Sequence, residues 1–284
     1  MFTTDAARKD FYTSDGVRLS YLEMGSGQPL ILVPGWSQTA IQWHHQIASF
    51  SATHRVMALD MRGHGASDKP GHGYRVSRFA RDLREFMTSH DLNDAILMGH
   101  SMGCAVIVCL WDLHGDERID KLILADQGAF LSSNRILSEE DKRNAGAGYT
   151  EEMLVDRVIG LNGPHSEEVT RTMLERMFTP SVDPDMLETV IALNLDMPRA
   201  AAASLLFNCV HEDWRDVYAR ISVPTLCIGA EASVFPTDAI AWQAREIPSA
   251  RIEVFEANEG GSHFMFMENP EKFNAVVADF LANS

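Results

Sequence analysis

The sequence predicts an α/β protein, a mostly parallel, twisted sheet flanked by helices and interrupted by a helical insertion. Three observations carry this. Short runs that are apolar at every position, such as Leu30 to Val33 and Ala95 to Met98, alternate with segments of helical period, the pattern of strands buried on both faces of a sheet. From about Leu131 to Asp213 no strand-like run occurs. Finally, Gly99-His100-Ser101-Met102-Gly103 stands between an apolar run and an apolar helical segment, where a strand must turn sharply into a helix.

Taken in order, strand-type residues at 10–13 and 17–24 flank Ser14-Asp15-Gly16, which is turn chemistry and predicts a hairpin. Leu30 to Val33 is a strand ended by Pro34-Gly35, followed by a helix over 40–50 and a strand over 55–59 that stops at Asp60. Val76, Phe79, Leu83, Phe86 and Met87 fall on one helical face, and 95–98 is the next strand. The segment 105–113 is apolar on nearly every side, as a helix at the centre of a fold is, and 121–125 is again a strand.

The pattern then breaks. Pro164, Pro180, Pro184 and Pro198 punctuate helices predicted near 149–161, 165–178, 185–195 and 199–209. Strands resume at 225–228 and 251–255, and a closing helix carries Phe273, Val276, Val277, Phe280 and Leu281 at spacings of three and four. The expected organisation is one core built from 1–130 and 214–284, with 131–213 inserted as a helical lid.

Composition narrows the function classes. The 284 residues are 45% hydrophobic and 23% charged, which excludes disordered and fibrous classes. With 24 Lys and Arg against 40 Asp and Glu, the formal charge is -16, a sign that repels phosphate backbones and anionic lipid. Neither nucleic acid nor a membrane is an expected partner. The four cysteines are too few and too irregularly spaced for a disulfide framework or a zinc site, and no apolar run approaches about 18 residues, so a cytoplasmic location is expected. No phosphate-binding loop, dinucleotide fingerprint or metal-ligand cluster is visible, so no cofactor is expected. The sequence is silent on oligomeric state.

The chemistry concentrates at Ser101. A strand turning into a helix crowds its own backbone, so the flanking Gly99 and Gly103 are needed where a side chain would clash. Ser101 is then held in a strained turn with its hydroxyl exposed, at a helix N-terminus that favours developing negative charge. The bland alternative is a glycine-rich turn with a capping serine. A serine hydroxyl needs a base, and imidazole titrates in the useful range. Of the 11 histidines, His263 follows the pair Gly260-Gly261 between the last strand and the last helix, at the sheet's C-terminal edge. His44 and His45 read as surface helix, His54 and His90 lie near element ends, and His64 sits in a tight turn. His100 adjoins Ser101, but neighbouring elbow residues are expected to point away from each other.

These motifs resemble the α/β-hydrolase superfamily, and the resemblance spans essentially the whole chain. Besides the elbow, it rests on Pro34-Gly35-Trp36-Ser37, Asp60-x-Arg62-Gly63-His64-Gly65 and Gly261-Ser262-His263-Phe264. The resemblance implies an oxyanion hole made by the backbone amides of Trp36 and Met102. It also exposes a departure. Most such enzymes carry their acid four residues before a proline after the post-insertion strand; here Gly229 to Pro236 places Ala232 there. Two carboxylates remain: Asp126, ending the strand before the insertion, and Glu231, one residue off the usual position. Asp126 is preferred, because fungal macrolactone hydrolases and cofactor-free ring-cleaving dioxygenases of this fold place the acid after that earlier strand.

The expected function is a cofactor-independent serine hydrolase acting on a small-molecule ester or lactone with a substantial apolar part, with Ser101, His263 and Asp126 (alternatively Glu231) as the catalytic set. The alternative is a cofactor-free dioxygenase in which a His-Asp dyad deprotonates a hydroxylated heteroaromatic ring. The match to that group is incomplete, since its histidines are replaced by Gln38 and Met102. A non-catalytic receptor on the same fold is the option outside enzymology. Asp60 and Arg62 read as loop braces, and Met153, Met173, Met177, Met186 and Met197, at helical spacing, read as core, with an apolar cleft wall as the other possibility.

Overall fold

In the computed structural model, which describes residues 2–284, β1 (Ala7–Tyr12) and β2 (Arg18–Met24) pair antiparallel around a turn closed by the Thr13 amide donating to the Val17 carbonyl at 3.0 Å. Gly16 supplies the left-handed φ of +81° that this turn needs. Next come β3 (Gln28–Val33), a 3-10 turn over Ala40–Trp43 leading into α1 (His44–Phe50), and β4 (His54–Leu59). They are followed by α2 (Val76–Ser89), β5 (Ala95–His100), α3 (Met102–His114) and β6 (Ile119–Ala125).

The segment between β6 and the next strand is helical, as its composition predicts: α4 (Glu139–Ala145), α5 (Glu151–Asn162), α6 (Ser166–Glu175), α7 (Pro184–Leu195) and α8 (Arg199–His211). Its two ends meet where the Trp214 amide donates to the Ala129 carbonyl at 2.9 Å, so these helices leave and re-enter the core at one place. The core resumes with β7 (Thr225–Ala230), α9 (Thr237–Glu246), β8 (Ala250–Phe255), the short α10 (Met265–Glu268) and α11 (Pro270–Ala282).

The eight strands form one sheet in the order β1-β2-β4-β3-β5-β6-β7-β8, antiparallel at β1-β2 and β2-β4 and parallel from β4 onward. β5 and β7 are buried at every position, which explains why they read as continuous apolar runs. Two apolar layers cover the sheet, one containing α2 and α3, the other α1 and α11. Among the described residues no single helix is long and apolar enough to cross a membrane.

Three expectations needed correction. α4 and α9 escaped the periodicity argument because α4 is polar and buries only Ala145, and α9 buries only Ala239, Ile240 and Gln243. The helix expected over 105–113 begins at Met102, since the elbow passes from strand to helix without a linker. The lid helices expected near 149–161 and 165–178 are shorter at their leading or trailing ends, with Thr150 capping α5 through the Met153 amide.

Candidate active site

Ser101 occupies the junction of β5 and α3 with φ 52° and ψ −128°, a left-handed backbone that a serine adopts only under constraint. The constraint is steric. A Cβ on Gly99 would lie 2.7 Å from the Gly103 carbonyl carbon and the Cys104 amide, and one on Gly103 would collide with the Val33 carbonyl oxygen of β3. Both glycines are therefore required, for the reason the motif suggests.

Parallel pairing brings the acid alongside. His100 on β5 is in register with Ala125 on β6, and the Ser101 amide donates to the Ala125 carbonyl at 2.8 Å. The next residue, Asp126, thus emerges beside Ser101, also with a positive φ of 57° and with its amide donating to the Ile228 carbonyl of β7 at 2.8 Å. Its Oδ2 lies 2.6 Å from His263 Nδ1, and both side chains are buried. Burial pushes the Asp126 carboxyl well above the usual carboxylate range, while a hydrogen bond from the Ser233 hydroxyl to the same Oδ2 works in the opposite direction. Burial also pulls the His263 imidazole below its ordinary value, favouring the neutral ring.

Glu231 does not join this group. It follows β7 directly, its amide donating to the Phe255 carbonyl at the end of β8, and its Oε2 accepts from the Ala257 amide at 3.1 Å. Ser233 carries no motif that would single it out in the sequence. It follows Ala232, the vacant acid position, and turns its hydroxyl back to Asp126.

The His263 loop is held from three sides. The His263 amide donates to the Met177 carbonyl at 3.1 Å, and its own carbonyl accepts from His100 Nε2 at 2.7 Å. Glu268 accepts from the Ser262 hydroxyl and, at 3.1 Å, from the Thr179 amide, tying the chain after α6 to the same loop. His100 is fully buried and absent from the cavity that Ser101 lines; it packs its ring 4.5 Å from that of His263 and supports the loop's backbone. Among the described residues His263 Nε2 has no hydrogen-bond partner.

The loop after β3 is equally fixed. Ser37, with φ 60°, donates its amide to His64 Nε2 at 3.0 Å, while His64 Nδ1 donates to the Arg62 carbonyl at 3.0 Å. These two contacts require a neutral imidazole, and burial lowers His64 to about 4. Trp36 Nε1 donates to the Ala202 carbonyl at 2.7 Å, and Arg199 donates to Ser37 Oγ at 2.7 Å, so α8 grips this loop from above. The Trp36 and Met102 backbone amides have no acceptor among the described residues. Asp60 and Arg62 brace as expected: Asp60 accepts from the Ala40 amide at 2.7 Å, and Arg62 forms a buried two-pronged pair with Asp82 at 2.6 and 2.9 Å.

Ser101, Met102, Trp36 and His263 line one cavity of about 220 Å³, walled by Leu131, Met173, Leu206 and Phe235 and bordered by Tyr149, Met153 and Met177. Three of the five methionines read as core therefore reach this cavity, whereas Met197 is buried in one of the two apolar layers and Met186 packs against the other. All four cysteines are unpaired and buried. Among the described residues, no group of three or more His, Cys, Asp and Glu side chains is arranged to hold a metal ion.

Comparison with known proteins places this geometry in context. The sequence profile of the Alpha/beta hydrolase family matches residues 30–276. A putative non-heme chloroperoxidase of Synechocystis sp. is 27% identical over 274 residues, covering 93% of this chain and 95% of that protein. The 3-oxoadipate enol-lactonase 2 of Acinetobacter baylyi is 29% identical over 275 residues, covering 95% of each. Among solved structures, an esterase from Exiguobacterium antarcticum superposes with a TM-score of 0.88 at 23% identity, over 97% of this chain and 99% of that one, a likeness of fold. With the family profile spanning most of its length, the chain belongs to the alpha/beta hydrolase family.

Proposed function

We propose that the protein is a serine hydrolase that cleaves a carboxylic ester or lactone through an acyl-enzyme on Ser101. The observation that carries this reading is the Asp126–His263 contact at 2.6 Å, with His263 Nε2 left unpartnered at a cavity that Ser101 also lines. Relatives named as an enol-lactonase and an esterase support it.

In this reading Ser101 Oγ attacks the substrate carbonyl carbon as its proton passes to His263 Nε2. His263 Nδ1 keeps its proton and donates it to Asp126 Oδ2, whose charge offsets the imidazolium. The carbonyl oxygen becomes an oxyanion between the free amides of Trp36 and Met102, at the N-terminus of α3. Collapse breaks the ester bond, and the leaving alkoxide takes the proton from His263. Water then gives a proton to Nε2 and attacks the acyl-enzyme, and the same proton returns to Ser101 as the acid leaves. The helices α4–α8 serve as a lid whose apolar residues exclude bulk water and take up the substrate's apolar part.

A cavity of about 220 Å³ lies below the roughly 300–1,000 Å³ of drug-sized sites, which favours a small substrate. The test is labelling by a fluorophosphonate under anaerobic conditions, with turnover of short p-nitrophenyl esters and simple lactones. Stoichiometric adduct at Ser101 and oxygen-independent turnover are expected. Failure to label, or turnover of a hydroxylated heteroaromatic ring that stops without oxygen, overturns the reading in favour of ring-cleaving chemistry.

A further inference from the structure

The cavity carries a charge pattern that ester hydrolysis does not require. Its lining includes two cations, Arg157 of α5 and Arg176 just after α6, and no Asp or Glu, although the chain has 40 acidic residues against 24 Lys and Arg. Neither guanidinium has a hydrogen-bond or ion-pair partner among the described residues. The contrast with the same helix is direct: Arg171 of α6 takes Glu188 through a two-pronged contact, its Nη2 at 2.8 Å from Oε2.

Both arginines line the cavity, one on α5 and the other just after α6, and these two helices pack together. α5 and α6 cross closely at Gly160, where an added Cβ would sit 3.0 Å from Val169 Cγ2. Tyr149, whose ring lines the same cavity, has no hydrogen-bond partner for its hydroxyl among the described residues. Ser101 and His263 lie in the same lining, with Met153 and Met173 as part of its apolar surface. Two unpaired guanidiniums and a phenol in one otherwise largely apolar lining are donors suited to a carboxylate, since a planar carboxylate takes several charge-assisted hydrogen bonds from such groups.

Building on the hydrolase reading, we propose that Arg157 and Arg176 bind a free carboxylate on the substrate. The preferred substrates are then small esters or lactones that carry a second, ionised acid group beyond an apolar spacer. The arginines select the substrate and position its far end; they take no part in proton transfer.

The test separates binding from turnover by using Ser101→Ala protein, titrated calorimetrically with monomethyl glutarate and with dimethyl glutarate. The half-ester is expected to bind at least about tenfold more tightly, the scale of one to two charge-assisted hydrogen bonds. That advantage should shrink as salt rises and vanish in a protein that also carries Arg157→Gln and Arg176→Gln. Each single variant, with its melting temperature checked, should lose part of it. Equal affinities, no binding of either ester, or an advantage that survives both substitutions overturns the proposal. Failure of the hydrolase reading is seen separately, as wild-type protein that prefers the half-ester yet neither turns over esters nor labels at Ser101.

Discussion

Asp126 Oδ2 and His263 Nδ1 lie 2.6 Å apart although 137 residues separate them in sequence. The contact exists because β6 and β7 are neighbours in the sheet while the chain between them leaves as five helices and returns to the same place. An acid at the end of β6 therefore reaches the imidazole that most members of this fold orient from the end of β7. Ser233 helps hold it there, adjoining the position where that other acid would stand.

If Asp126 orients His263, Asp126→Asn should lower kcat by roughly 1,000- to 10,000-fold, since an amide neither balances an imidazolium nor enforces the Nδ1–H tautomer. Glu231→Gln should change kcat by less than about threefold, because that carboxylate engages only the Ala257 backbone. Steady-state kinetics on one good ester decides, and the assignment is wrong if the two effects are exchanged.

Ser101→Ala should fold with an unchanged melting temperature and lose about a thousandfold or more in ester turnover, leaving binding and the oxyanion site. The serine's φ of 52° is imposed by its neighbours, so alanine inherits the strain rather than relieving it. Turnover close to that of the wild type would rule out the acyl-enzyme.

The pH profile follows from burial. A base must be neutral, so activity rises as His263 loses its proton, and burial places that loss below the ordinary imidazole value of about 6.5. The acid limb of kcat/KM should therefore fall below pH 6.5, with a flat rate from there to about pH 8. A limb centred above 7 would contradict the buried environment of the ring.

Acid stability should report His64. Its folded-state value is lowered to about 4, so the stability it contributes is complete above the unfolded imidazole value of about 6.5. That contribution declines as pH falls from there towards 4, because protonation turns Nε2 into a donor facing the Ser37 amide. Urea unfolding at several pH values should show His64→Gln losing less stability than the wild type over that window.

Arg62→Ala should destabilise the fold by about 3 kcal/mol, since it removes one member of a buried, two-pronged pair and leaves Asp82 in the interior with Arg78 as its remaining cation. Denaturant titration measures this. A loss under 1 kcal/mol would mean that Arg78 alone satisfies Asp82.

The sequence by itself determined the sheet's parallel core and the glycine-flanked turn at Ser101, and it singled out His263 as the candidate base. Runs apolar at every position are legible because both faces of those strands are covered, and Gly99 and Gly103 are legible because a side chain would strike the start of α3 at the first and β3 at the second. It left Asp126 and Glu231 both open, because which carboxylate meets His263 depends on strand order and on the direction each strand end faces. It also could not show that His64 and Arg199 hold the Trp36–Ser37 loop, that His100 carries the His263 backbone, or that Ser233 donates to Asp126. Those contacts join residues far apart in the chain, with no periodicity to betray them; only the packing of the loops around the sheet's edge, and of α8 upon them, decided them.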